Sequence, residues 1–301
     1  MKAQVAAELV GGQVRGRRKS GVQAAVTVPK RRAPESMPAV WCECSAAYEA
    51  FATSVTDYFA ADAVRLARMG PSADVLDVAA GTGAFTMAAA RRGARVLATD
   101  FSPAMIRRLQ RKCGSLSYQN VQTALMDGQD LELPDARFDV AASLFGLMFF
   151  PDHRSGLREL HRVLRPGGQV LVSVWAPPAR VELMRLLGDA VMTAGIEPAG
   201  GGNAPYWLEL CDTRCLCALL REVGFRKIHV VAVSHVAVFD TVDEFIEILP
   251  IATPSSAALV RSMSSSERRR FDEALAESFL ERQGDGPYAV TNEALIAVGT
   301  K

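Results

Sequence analysis

The sequence lacks the features that define several large classes of protein. No apolar run among its 301 residues approaches the ~20 residues of a membrane-spanning helix, so we predict no stable membrane insertion. The six cysteines lack the paired C-x-x-C spacing of a structural zinc site, and we predict no metal site. No Ser/His/Asp set and no pair of carboxylates stands out, so nothing indicates nucleophilic or paired-carboxylate hydrolysis.

The cysteines are Cys42, Cys44, Cys113, Cys211, Cys215 and Cys217. Because no signal peptide argues for oxidation, we expect reduced thiols in a cytosol-like compartment. An alternative is that the last three bind a soft metal or metalloid. If they lie on one helix, Cys211 and Cys215 share a face and Cys217 points away, which weakens that alternative.

Acidic residues are scarce at the N-terminus, and this separates a leader from the rest of the chain. Residues 1–40 hold eight Lys/Arg against Glu8 and Glu35, which leaves 26 basic and 31 acidic residues elsewhere, a net charge of −5. That charge argues against a nucleic-acid-binding surface. We predict a disordered leader over 1–40 and a cytoplasmic protein. A transit peptide, which would make the protein organellar, and a nuclear address are alternatives.

The stretch Val75–Phe85 predicts a ligand-binding edge. It reads as a short apolar strand, a turn with two glycines, and the start of a helix that Gly93 ends. Gly81 and Gly83 leave room for a ligand against the backbone, and the turn brings it near the free N–H groups of a helix start. A nucleotide-like cofactor fits such an edge.

A second strand, Arg95–Thr99, ends in Asp100. A carboxylate at the tip of the neighbouring strand can accept two hydrogen bonds from a ribose diol. The dinucleotide fingerprint G-x-G-x-x-G requires a third small residue where this chain has Thr86, and Asp77 is foreign to that fingerprint. An NAD-dependent oxidoreductase is therefore the weaker interpretation.

Four motifs carry a resemblance to one family. Residues 77–83 read D-V-A-A-G-T-G, and with Asp100 they resemble motif I and the following acidic motif of class I S-adenosylmethionine-dependent methyltransferases. Asp127–Asp139 and Glu159–Gly168 resemble later segments of the small-molecule branch of that family (methyltransferase type 11, or ubiquinone/menaquinone methyltransferase-like). Ala79 replaces a glycine that many members have.

The resemblance implies an α/β fold, a doubly wound, mostly parallel, seven-stranded sheet in Rossmann-like arrangement. The last strand, Ala294–Gly299, is expected antiparallel between strands five and six. We predict one methyltransferase domain over 41–301, with lid helices over 45–69 and a helical insertion over about 240–285. Trp207 and three residues of the insertion are expected either to cover the substrate mouth or to pack in the core; the three are Phe245, Ile248 and Leu249.

The resemblance also implies a cofactor, S-adenosyl-L-methionine, and residues that hold it. The first strand and turn would bind its methionine end, Asp100 its ribose, and residues of the second and third strand ends its adenine. The candidate cofactor-binding residues are Asp77, Ala79, Gly81, Thr82, Gly83, Asp100, Phe101, Ser102, Met105, Met126, Asp127, Gly128, Ser143 and Leu144.

The exit of the fourth strand, residues 143–151, predicts the class of methyl acceptor. Enzymes of this fold that methylate base amines carry a polar-Pro-Pro-aromatic turn there, whereas this chain has S-L-F-G followed by L-M-F-F. We therefore expect a small apolar or amphipathic acceptor. The resemblance implies that Tyr48 is a lid residue beside the transferred methyl group, and core packing is the alternative. His153 is a candidate base, and the alternative is a solvated histidine at a helix start.

Two alternatives remain open at this level. The stretch Phe145–Leu147 resembles the ubiquinone/menaquinone C-methyltransferases, although Met148 and Phe149 replace the polar pair that follows in that group. A non-catalytic, cofactor-binding scaffold is the alternative from another class. The sequence does not specify the oligomeric state or the methylated atom.

Overall fold

The computed structural model describes residues 34–196, 206–283 and 286–301. These residues belong to one compact unit, Arg32–Lys301. Most of the predicted leader lies outside the described residues, as do the side chains of Trp207 and Leu249. None of the described helices is long and apolar enough to span a membrane.

A seven-stranded sheet forms the centre of the fold, in the order β3-β2-β1-β4-β5-β7-β6. The first five strands run parallel, and β7 is antiparallel to both of its neighbours. This confirms the predicted sheet and the position of its last strand. The strands are β1 (Asp74–Val78), β2 (Arg95–Asp100), β3 (Val121–Leu125), β4 (Phe138–Leu144), β5 (Leu164–Trp175), β6 (Arg226–Phe239) and β7 (Tyr288–Thr300).

The last strand is longer than the sequence indicated. It begins at Tyr288 instead of Ala294, because it pairs with the long strand β6 as far as Phe239, opposite Tyr288. The extra residues alternate between buried and exposed, with Tyr288, Val290 and Asn292 buried. A period of two that spans so few residues is a weak signal in a sequence, so the pairing partner determines the length.

Helices cover both faces of the sheet. Residues of α2 and α3 pack on one face, against Val75, Val96 and Val140, whereas residues of α5 and α7 pack with Leu76 and Ala141 on the other. The helices are α1 (Pro38–Val55), α2 (Asp57–Leu66), α3 (Ala84–Arg91), α4 (Pro103–Ser115), α5 (His153–Val163), α6 (Glu182–Thr193), α7 (Thr213–Val223), α8 (Val242–Ala252), α9 (Pro254–Ser262) and α10 (Ser265–Gln283).

Helix α1 begins earlier than predicted. The sequence predicted that the helix starts near Ser45 and that residues 1–40 form a disordered leader. In the structure a 3₁₀ turn covers Pro34–Ser36, and the α-helix starts at Pro38. Proline is well tolerated at the first helical position, so Pro38 does not break the helix. The buried stripe also begins before Ser45, with Trp41, whose indole N–H donates to the Glu35 carbonyl at 2.9 Å.

The helices between β6 and β7 form the predicted insertion. Phe245 is buried, and its ring centroid lies 5.1 Å from that of Phe239 and 5.3 Å from that of Phe279. It therefore packs in the core, and Ile248 packs partly buried against the same core. Helix α8 in turn contacts α1, so the insertion supports the N-terminal helix.

The sheet topology brings four strand ends to one edge. Asp77 is in register with Ala98 of β2 and with Ala142 of β4, and Asp100 is in register with Leu125 of β3. In open α/β sheets ligands bind outside the carboxyl ends of the strands, where the chain order reverses. Here that reversal lies between β1 and β4.

Two glycine substitutions test the turn that follows β1. Gly83→Ala is expected to lower the free energy of unfolding by about 2 kcal/mol, because φ is +93° there and a Cβ would collide with Leu109. Gly114→Ala is the matched control inside α4. No atom of the described residues lies within 4 Å of its Cβ position, so we expect a gain of up to about 1 kcal/mol. Urea unfolding measures both changes, and equal losses in the two variants would contradict this geometry.

Candidate functional site

A cavity opens at the carboxyl ends of the strands, and its open space, including the solvent at its mouth, is about 700 Å³. This edge of an open α/β sheet is where ligands bind in such folds. The N-terminal segment, the ends of β1 to β4 and the segment before α5 contribute its walls. The lining residues are Glu35, Ser36, Trp41, Tyr48, Ala79, Gly81, Asp100, Phe101, Met105, Met126, Asp127, Gly128, Gln129, Leu144, Phe145, Gly146, Phe149, Phe150 and Pro151.

Asp100 links the second strand to the glycine turn. One of its oxygens accepts a hydrogen bond from the Gly81 amide at 2.9 Å, and the other accepts one from the Ser102 amide at 2.8 Å. Burial raises the pKa of Asp100 to about 6, against the lowering effect of these amides. Each oxygen keeps a further lone pair, so the carboxylate can still accept from the two hydroxyls of a ribose.

Asp77 is the second buried carboxylate of the site, at 2% exposure. Burial raises its pKa to about 7, and a hydrogen bond from the Thr86 hydroxyl, at 2.6 Å, opposes that rise. Thr86 is the residue that breaks the dinucleotide fingerprint, and this contact gives it a role that the sequence did not indicate. A buried acid with one hydroxyl donor is suited to a cationic ligand, because a positive charge would stabilise its ionised form.

Asp77 lies in a smaller pocket that adjoins the main cavity. The two share four residues: Tyr48, Ala79, Leu144 and Phe145. Thr56 and Thr82 add hydroxyl groups to the smaller pocket. An elongated ligand can therefore place an apolar, ring-bearing end in the main cavity and a polar, charged end in the smaller pocket.

Tyr48 stands at the junction of the two pockets. A Cβ on Gly81 would lie 3.3 Å from Cε1 of Tyr48, so the ring passes closely over the glycine turn. Burial, followed by the charges of Asp57 and Asp100, raises the pKa of its phenol well above the usual value, and the hydroxyl is hydrogen-bonded to Thr56. Tyr48 is therefore a neutral phenol that covers the turn.

Trp41 and Phe149 extend the aromatic wall that Tyr48 begins. The Trp41 ring lies edge-on to Tyr48 at 5.6 Å and to Phe149 at 5.5 Å between centroids. Trp41 packs with Met105, which is buried at 1% exposure. The sequence did not predict that Trp41 and Glu35 line the cavity. For Trp41 a signal was present, because the apolar spacing continues from Tyr48 back to Trp41.

The ends of β2 and β3 contribute to the cavity lining the residues that the sequence predicted. Phe101, Met105, Met126, Asp127 and Gly128 all line the cavity. Gly128 leaves no room for a side chain, because a Cβ there would stand 2.5 Å from a ring carbon of Phe150 and 2.6 Å from Val78. The apolar side chains beside the Asp127 carboxylate suit an aromatic ring with an amino group.

Three predicted residues lie behind the cavity walls. Gly83 begins α3, and the Ser102 hydroxyl accepts from the Met105 amide as the N-cap of α4. The Ser143 hydroxyl is buried, with no hydrogen-bond partner among the described residues. It would stand 2.9 Å from a Cβ on Gly146, beneath the part of the wall that Ala79 forms.

The structure does not bring His153 into the cavity. Among the described residues, His153 is not one of those that line the cavity. Its Nε2 lies 3.0 Å from the Met148 carbonyl oxygen. Burial lowers its pKa. The predicted apolar wall is also only partly right, because Phe149 and Phe150 line the cavity but Leu147 and Met148 are buried in the core.

Cys211, Cys215 and Cys217 do not form the metal-binding cluster that the sequence left open as an alternative. Cys211 follows a 3₁₀ turn and precedes the N-cap Asp212, so it does not share a helical face with Cys215. All six thiols are free, and the described residues contain no group of three or more His, Cys, Asp or Glu side chains that could hold a metal ion.

Comparison with known proteins finds a matching family and several relatives. The family described as a methyltransferase domain matches residues 76–172. Protein Rv1405c of Mycobacterium tuberculosis is 40% identical over 116 residues, which cover 37% of this chain and 40% of that protein. The demethylmenaquinone methyltransferase of Streptomyces griseus is 30% identical over 168 residues, covering 52% of this chain and 70% of that enzyme.

A solved structure shows the same fold. Protein YcgJ from Bacillus subtilis matches with a TM-score of 0.54 and 17% identity, over 81% of this chain and 98% of that chain. At that identity the match concerns the fold alone. The chain spans about two fifths of the length of the Mycobacterium tuberculosis relative.

The raised pKa of Asp77 predicts a pH-dependent stability. Its folded pKa of about 7 exceeds the ordinary aspartate value of 3.8, so between these values the folded protein binds more protons than the unfolded chain. Stability from this group is present at low pH and is lost as pH rises through that window, by at most about 4 kcal/mol. Urea unfolding at about pH 5 and about pH 8 should show wild type losing stability relative to Asp77→Asn. A constant difference between the two proteins would contradict the burial argument.

Proposed function

The chain belongs to the class I S-adenosylmethionine-dependent methyltransferases, in the branch that contains the demethylmenaquinone methyltransferases, and from this premise we propose that it methylates a small apolar or amphipathic acceptor. The observation that carries the proposal is the pairing of two buried carboxylates, Asp77 and Asp100, across the Gly81 turn. One faces the smaller polar pocket and the other the main cavity.

The residues present fit S-adenosylmethionine. Asp77 would hold the α-ammonium group, whose charge offsets the penalty of burying the carboxylate. Asp100 would accept from the ribose hydroxyls, and Asp127 would accept from the adenine amino group between Phe101 and Met126. The ring of Tyr48 over Gly81 would close the turn above the bound molecule.

When bound, S-adenosylmethionine supplies a methyl group on a positively charged sulfur, which an acceptor can take by in-line displacement. The protein contributes mainly by holding the acceptor in line and by excluding water. Tyr48, Trp41 and Phe149 do this through packing, because their rings contact one another around the cavity. Phe145 is held by Trp175 at 4.4 Å and by Phe59 at 5.5 Å between ring centroids, so the acceptor wall is rigid.

The composition of the wall supports an apolar acceptor. Five apolar residues between the end of β4 and the start of α5 line the cavity. They are Leu144, Phe145, Phe149, Phe150 and Pro151. The transfer of a charged acceptor from water to this wall would be unfavourable, because the wall has few hydrogen-bonding groups. The wall therefore favours an aromatic or alkyl-substituted molecule.

A second candidate narrows the acceptor to a quinol and the reaction to C-methylation. It is supported by the Streptomyces griseus relative, whose name states demethylmenaquinone as its substrate. It is also supported by the F-G-L stretch at 145–147. In the quinone-methylating group a polar pair follows this stretch, and here Met148 and Phe149 take its place. This argues against the quinol candidate, because Met148 is buried in the core and Phe149 lines the cavity.

Calorimetry with S-adenosylmethionine tests the donor site. Asp100→Ala is expected to weaken binding at least about tenfold, because two ribose hydrogen bonds are lost. Asp243→Ala, which removes an exposed carboxylate in the first turn of α8, is the control and should bind as the wild type does. Thermal unfolding shows whether each variant is folded. Absence of binding to the folded wild-type protein would overturn the proposal.

Turnover separates an enzyme from a scaffold. The protein is incubated with isotopically labelled S-adenosylmethionine and an extract of the native source, and mass spectrometry identifies any molecule that gains the labelled methyl group. We expect label in the apolar fraction, and a 2-polyprenyl-1,4-naphthoquinol assayed alone tests the quinol candidate. Donor binding without transfer to any acceptor would instead favour the scaffold.

A further inference from the structure

A groove on the outer surface, away from the donor cavity, lies between α1 and α4. Its open volume is about 960 Å³. None of its lining residues contributes to the cavity described above. They are Cys42, Ser45, Ala104, Arg107, Arg108, Gln110 and Arg111. Three of the seven are arginines, and none is acidic.

The three arginines have different roles. Arg108 is fixed by α1, with its Nη1 2.6 Å from Glu49 and its Nε donating to the Ser45 hydroxyl at 3.1 Å. Arg107 and Arg111 are exposed, and neither forms an ion pair with the described residues. Of the nearby acids, Glu49 is paired with Arg108, and Asp57 faces Lys112 at 4.0 Å. The groove therefore keeps two uncompensated positive charges.

The spacing of these two charges has a physical consequence. Arg107 and Arg111 are four residues apart on α4, so they lie on one face of the helix, where like charges destabilise it. An anion between them would remove that repulsion. Two guanidinium groups match the oxygens of a phosphate in bidentate geometry. The Ser45 hydroxyl on the α1 side donates to the Cys42 carbonyl at 3.0 Å and accepts from Arg108, so the two exposed arginines supply the donors for the anion.

We propose that the groove between α1 and α4 binds a phosphate group through Arg107 and Arg111. The group is either a free phosphate ester or diphosphate, or the headgroup of an anionic lipid. The absence of acidic lining residues excludes a cationic ligand on electrostatic grounds, and the open mouth of the groove admits a group attached to a larger molecule.

Occupation of the groove is linked to the donor cavity by helix α1. That helix contributes Cys42 and Ser45 to the groove, and Trp41 and Tyr48 to the cavity. An anion held by Arg107 and Arg111 lies against Cys42 and Ser45 of α1, and it therefore restrains the helix that carries Trp41 and Tyr48. By thermodynamic linkage, phosphate in the groove then raises the affinity for the donor, and the donor raises the affinity for phosphate. This link, unlike the groove itself, rests on the proposed function.

Titration calorimetry with inorganic pyrophosphate at low salt tests the site directly. The wild-type protein is expected to bind, and R107A/R111A should bind at least about tenfold more weakly. R92A/R269A is the control, because it removes two exposed arginines elsewhere and changes the net charge equally. Equal affinity in wild type and R107A/R111A would overturn the proposal, as would equal losses in both double variants.

Vesicle sedimentation distinguishes the two sources of phosphate. Binding to vesicles of phosphatidylglycerol and phosphatidylcholine, but not to phosphatidylcholine alone, assigns a lipid headgroup if R107A/R111A abolishes it. Binding of pyrophosphate without vesicle binding assigns a free phosphate. If neither pyrophosphate nor vesicles bind, the proposed site is wrong.

A further titration tests the coupling between the groove and the donor cavity. Pyrophosphate should tighten the binding of S-adenosylhomocysteine severalfold in wild type but not in R107A/R111A, and an unchanged affinity in wild type would refute the coupling. The pyrophosphate titration stands even if the donor analogue does not bind.

Discussion

The hydrogen bond from the Gly81 amide to the Asp100 carboxylate is the contact on which the site depends. It joins the turn after β1 to the end of β2, and the register of the two parallel strands brings the pair together. The same carboxylate accepts from Ser102, the N-cap of α4, so one side chain positions the turn, the strand end and the next helix. A ligand at this point meets a backbone already held in place.

Burial gives the two carboxylates their chemical character. Asp77 and Asp100 both have raised pKa values because the fold removes them from water, and Thr86 or backbone amides only partly compensate. A core with apolar side chains in place of such buried carboxylates would be more stable. Buried carboxylates with raised pKa values are therefore found mainly where function uses them. In the function that we propose, a donor with an ammonium group and a ribose diol would supply the missing partners. The aromatic wall of Trp41, Tyr48 and Phe149 would separate these polar contacts from solvent.

The sequence predicted what local chemistry determines. The glycine turn followed from a short pattern and the sheet order from the family resemblance, and the structure agrees with both. It did not predict which way α5 turns His153, how Leu147 and Met148 enter the core, or that Trp41 reaches the cavity. Those outcomes depend on tertiary packing between distant segments, and periodicity within one segment does not record them.

The most direct test of the central claim is proton exchange on donor binding. Calorimetry with S-adenosylmethionine near pH 6, in two buffers of different ionisation enthalpy, counts the protons that leave or enter the protein. We expect proton release, because Asp77 is largely protonated at that pH in the free protein and an ammonium group beside it would lower its pKa. Binding with no proton exchange, or with proton uptake, would contradict the assignment of Asp77 to the charged end of the donor.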